Sequence, residues 1–133
     1  SQVEYSHNGY RMTGATRDFT PHYRFNKIWK SYQDQGITIK VIDEYVKKLQ
    51  AQFLDGLRTQ ENVLCKDLTI IGHFITFKTD SHTHSKEIYE LLLKEDILTD
   101  FRGSSLRFGF GMHMSAQKIE ILVNKMENIE FFS

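Results

Sequence analysis

One arginine stands where a charge is costly. Arg107 lies inside the apolar run Leu106-Arg107-Phe108-Gly109-Phe110. A guanidinium among such neighbours needs a partner, because burying an unpaired charge is expensive. Two partners fit. One is an internal carboxylate, with Asp100, Glu120 and Glu127 as the candidates. The other is an anion from outside, for which the planar fork of donors matches a carboxylate at two points where lysine cannot. The surrounding stretch, Ile97–Gly111, reads as a strand, a tight turn at Gly103-Ser104-Ser105 and a second strand carrying the arginine. Both faces of that second strand are expected to be partly buried. Gly109 and Gly111 remove side-chain bulk at its end, so another group can approach the backbone.

Other groups with chemical potential are weaker. Arg102 lies in or beside the turn, where a solvated arginine is the ordinary outcome. His82 and His84 form a His-x-His pair with only Asp80 and Glu87 nearby, and read as a polar loop before a helix rather than a metal site. His113 sits between Met112 and Met114 and reads as an edge histidine that could line a site. The single cysteine, Cys65, has no internal disulfide partner, fits a reducing compartment and reads as inert.

The elements that must position Arg107 follow from periodicity. Phe25, Ile28, Trp29 and Tyr32 recur at helical spacing, so a short helix is expected over Tyr23–Tyr32, ended by Gly36. Its stripe reads as core packing, or as an interface with a missing domain. A long helix follows from about Thr38, with Val41, Ile42, Tyr45, Val46, Leu49, Phe53, Leu54 and Leu57 on one face. Leu68–Thr79 reads as one strand bulged at Gly72. A loop at residues 81–85 leads into a helix over Lys86–Lys94, and Ser115 caps a last helix over Ala116–Asn128. The fold class expected is α+β: a small two-layer domain with a three- or four-stranded antiparallel or mixed sheet, covered by helices on one side.

Composition narrows the partners. The 133 residues fit one modest core, with 40% hydrophobic and 26% charged residues. Lysines plus arginines number 17 and acidic residues 17, so no basic excess points to nucleic acid. No apolar run approaches the ~20 residues that span a bilayer. No leader of the secretory type is visible, and a cytoplasmic location is expected.

The Arg107 stretch resembles the end of the class V aminotransferase and kynureninase superfamily, fold-type I enzymes that use pyridoxal phosphate. Their small C-terminal domains often carry a Leu-Thr-Asp-x-Arg strand followed by an x-Arg-Phe or x-Arg-Val strand. Here Thr99, Asp100, Arg102 and Arg107 stand in the matching places. The resemblance implies that Arg107 holds the α-carboxylate of an amino-acid substrate. Tyr10–Thr16 looks like the segment by which such enzymes leave their large domain, although Gly14-Ala15-Thr16 replaces the usual Ala-Gly-Thr order. By the same resemblance Thr16, with Arg11 near it, would touch the cofactor phosphate across a homodimer interface. In such enzymes the cofactor ring is the electron sink for the reaction.

The resemblance makes residues 1–22 a lead-in from a missing large domain and 23–133 the small domain. None of the eleven lysines stands in the His-Lys context that these families use for cofactor attachment. Alone, the chain is therefore expected to be catalytically silent and to bind no cofactor. Two alternatives belong to other classes: a free-standing amino-acid-binding or regulatory module, and a protein-interaction domain using the Phe-rich surface.

Overall fold

A computed structural model describes residues 7–9 and 18–129. The chain divides into two compact units, 1–38 and 39–133. In the first, helix α1 runs Thr20–Asp34. Thr20 donates its backbone N–H to Asp18 (2.9 Å), and hydrogen bonds from Thr20 hold the Asp18 carboxyl below its usual range. At the other end Gly36 takes a positive φ of 70°. Its N–H reaches Gln33 and that of Ile37 reaches Tyr32 at 2.8 Å, the double bond of a Schellman stop. The helix is longer than its stripe suggested. Core packing of that stripe is not what forms: no residue of α1 is buried, and Phe25 and Trp29 instead stack on each other with parallel rings 6.3 Å apart.

The second unit is the α+β layer pair. Helix α2 (Ile39–Thr59) is followed by a 3-10 turn at Val63–Lys66, strands β1 (Leu68–Ile71) and β2 (Phe74–Lys78), and helix α3 (His82–Lys94). Strands β3 (Asp100–Arg102) and β4 (Ser105–Gly109) and helix α4 (Ala116–Glu127) complete it. The sheet is antiparallel throughout in the order β1-β2-β4-β3. The stretch expected as one bulged strand is a hairpin instead. Gly72, at φ 55°, turns the chain with His73, and Ile71 pairs with Phe74. Only glycine enters that conformation without strain.

Strand alternation sorts the side chains. Ile75, Phe77, Leu106 and Phe108 face the helices and are buried. Phe53 of α2 inserts among the rings of Phe77, Phe108 and Phe110 at 5.3–6.4 Å between centroids. Ile88 and Leu92 of α3 and Ile119 and Met126 of α4 close the same core. Helix α4 lies close on α2 because Gly56 has no side chain; a Cβ there would come within 2.7 Å of Val123 Cγ1. Two polar side chains of α2, and Gln60 just past its end, then fix the partner. Tyr45 donates to the Met114 carbonyl (2.7 Å), Gln52 to that of Ala116 (3.0 Å) and Gln60 to that of Val123 (3.1 Å).

Helix α3 starts a turn earlier than expected, at His82, because Ser81 is its cap and accepts from the His84 N–H. Behind the cap, the buried Thr79 and Ser85 hydroxyls share a hydrogen bond of 2.7 Å, and Thr79 also donates to the Ser81 carbonyl. Thr79→Val strands the Ser85 hydroxyl in the core and is expected to cost about 1–3 kcal/mol. Ser85→Ala, which leaves Thr79 its bond to Ser81, should cost less. Urea midpoints of the two variants check the order.

Candidate site around Arg107

The face of the sheet opposite the helices carries the residues that alternate outward: Thr69 and Ile71, Phe74 and Thr76, Asp100, and Arg107. Among the described residues of this unit, no helix packs on it. Ile71 is 68% and Phe74 50% exposed.

Both faces of β4 are at least partly buried, as expected: Leu106 and Phe108 are buried on one, and Ser105 and Arg107 are half-buried on the other. The neighbours of Arg107, Leu106 and Phe108, point into the core, and it points out. Three features fix its guanidinium there. Asp100 stands directly opposite in the β3–β4 register, and its Oδ2 accepts from Arg107 Nη2. The Phe74 ring lies 5.9 Å from Cζ, within cation–π range. The third is space: a Cβ on Gly109 would sit 3.2 Å from the Phe74 ring, so the glycine makes room for the aromatic. Of the internal carboxylates considered for Arg107, Asp100 is the one that pairs with it. The pair is not sealed, since the Arg107 side chain is 27% exposed and that of Asp100 55%. Arg107 Nε is buried and has no hydrogen-bond partner among the described residues.

The other candidates separate. Arg102 is exposed at the end of β3, as a solvated arginine would be. Thr16 and Arg11, the cofactor-phosphate candidates, lie outside the described residues, as does the whole Tyr10–Thr16 segment. His82 lies in helix α3, its ring 5.4 Å from that of Phe101, while His84 faces Asp80 at 3.5 Å. Among the described residues no three His, Cys, Asp or Glu side chains gather as metal ligands. His113 is exposed and folds over Gly111, where a Cβ would meet its ring at 2.7 Å. The two glycines thus admit two rings, Phe74 and His113. Burial raises the Cys65 thiol pKa, partly offset by Arg58, so the thiol is even less nucleophilic than usual.

Sequence reasoning did not single out Phe74 or Gln50. Phe74 reads as one more apolar residue of a strand, and only the hairpin register brings it beside Arg107. Gln50 is 2% exposed and donates to the Gly72 carbonyl (3.1 Å), tying α2 to the hairpin that carries Phe74. Among the described residues no helix is long and apolar enough to cross a membrane. Comparisons with protein-family profiles, curated proteins and solved structures return no match for this chain.

Proposed function

We propose that this chain is the C-terminal small domain of a cytoplasmic pyridoxal-phosphate enzyme of the class V aminotransferase or kynureninase type. In this reading Arg107 binds the α-carboxylate of an amino-acid substrate. The observation that carries it is the Arg107 guanidinium on the sheet face opposite the helices, steadied by Asp100 and Phe74, with a buried Nε donor that has no partner among the described residues. Holding a substrate at a fixed angle is worth several orders of magnitude in rate. Exposed Ile71 and Phe74 beside the arginine support a face that another domain covers. In the same reading the parent is a homodimer, and Thr16 reaches the cofactor phosphate.

The described residues do not themselves fit the cofactor. Every lysine among them is exposed except Lys125, whose ammonium is bound to the Glu95 carbonyl. The attachment lysine therefore belongs to a large domain outside this sequence. The test is made on the protein with its upstream sequence attached. Borohydride should fix pyridoxal phosphate on one lysine outside residues 1–133, and peptide mapping should find none within them. A stoichiometric adduct on any lysine of this chain, or no adduct at all, overturns the proposal.

A further inference from the structure

A cavity of about 250 Å³ opens at the sheet edge, beyond the end of β3. Its walls are Ile97, Phe108 and Phe110, and Leu98 and Lys118 stand at its rim. Arg107 does not line it. The backbone of Gly109 does, and the hydrogen-bond parity of the sheet tells how.

In an antiparallel ladder each residue of a strand bonds to one neighbour or the other in alternation. Phe110 donates to His73, and Thr79 donates to the carbonyl of Ser104, each at 2.9 Å. Even-numbered residues along this stretch thus bond toward β2, and odd-numbered ones bond toward β3. Arg102 stands opposite Ser105 and Asp100 opposite Arg107, but β3 has no residue opposite Gly109. The Gly109 N–H and C=O therefore face the space that β3 has vacated, where the cavity lies.

Charge is divided along α4. Lys118 and Lys125 are seven residues apart, about 10 Å along the axis. Lys125 is engaged by the Glu95 carbonyl at 2.6 Å, on the side where Asp96 also lines the cavity. Lys118, in the first turn above the Ser115 cap, makes no ion pair among the described residues. The lining of this apolar chamber thus brings together a cation at Lys118, a spare backbone donor at Gly109 and an acidic group at Asp96. Its volume lies below the roughly 300–1,000 Å³ of sites that hold drug-sized ligands. A nucleotide or long acyl chain is too large.

We infer that this cavity binds a small amphiphilic carboxylate, one aromatic ring or branched chain in size. The apolar body fills the chamber, and the carboxylate accepts from Lys118 and from the Gly109 N–H. The inference is independent of the function proposed for Arg107.

The test titrates 3-phenylpropionate into the isotopically labelled chain of residues 1–133, followed by amide chemical shifts. Acetate, which lacks the body, and 3-phenylpropanol, which lacks the charge, are run in parallel. The expected result is saturable shifts at Leu98, Gly109, Phe110 and the first turn of α4, with a Kd of about a millimolar for so few atoms. Acetate and the alcohol should bind at least fivefold more weakly. Lys118→Gln should lose about as much affinity as the alcohol. Leu98→Asp, at a position 83% exposed and so safe for folding, should abolish binding. Three results overturn the inference: no saturable shifts at ten times the expected Kd, equal binding of acid and alcohol, or Lys118→Gln binding like the unaltered chain.

Discussion

Phe53→Ala is expected to remove about 3–5 kcal/mol of stability, the range for truncating a well-packed phenylalanine. The ring is fully buried and packs against three aromatic rings, Phe77 of β2, Phe108 of β4 and Phe110 just past it. Ring pairs of this kind add about 0.5–1.5 kcal/mol beyond area burial. The cavity left behind would be walled by Phe77, Phe108 and Phe110, whose strands are pinned by the ladder and cannot collapse into it. A unit of this size has about 5–15 kcal/mol in total, so much of its margin goes with one side chain. Melting should fall by roughly 4–8 °C for each kcal/mol lost. Tyr23→Ala, on α1 at 74% exposure, is the control and should stay within about 0.5 kcal/mol of the parent. Thermal unfolding followed by circular dichroism measures both. A loss under 1 kcal/mol for Phe53→Ala would mean that this cluster is not the centre of the core.

Phe53 was legible in the sequence for a simple reason. Over a helix as long as α2 the apolar stripe repeats often enough to fix which face is buried. The same stripe hid Gln50, because a polar type at a buried position shows itself only through the carbonyl it satisfies, and that carbonyl is on a hairpin 22 residues away. The hairpin was obscured by its own composition. Ile70, Ile71, Phe74 and Ile75 are equally good strand formers on both sides of Gly72, so the run reads as continuous. The first turn of α3 was lost to the poor helix propensity of His-Thr-His, although its cap residue, Ser81, is of the type that starts helices. The α1 stripe has the right period, yet none of its residues is buried, because periodicity reports a helix and not what covers it. At the candidate site, the sequence pointed to the charge and to Asp100 as one possible partner. The face opposite the helices and Phe74 required the register of three strands.

That register allows a structural arginine to be told from a binding one, since the two make opposite demands on Arg107→Met. The ion pair with Asp100 is partly open to water, and pairs of that kind contribute about 1 kcal/mol or less. Loss of the guanidinium should therefore cost the fold little, and Met keeps the apolar stem against Phe74. A substrate carboxylate held by charge-assisted hydrogen bonds loses more, about 1.5–3 kcal/mol for each bond. Under the proposed function, with two such bonds gone, KM for the amino-acid substrate of the full-length enzyme should rise by about a hundredfold or more. Arg107→Lys keeps the charge but not the fork, and should recover only part of that loss. Asp100→Asn leaves the arginine in place with one less charge holding its Nη2, so its effect on KM should be far smaller than that of Arg107→Met. Unfolding midpoints and steady-state kinetics on the same three variants separate the cases. Stability nearly unchanged with KM raised is the signature of a carboxylate anchor. An unchanged KM for Arg107→Met would make the arginine a cross-strand tie to Asp100 and nothing more.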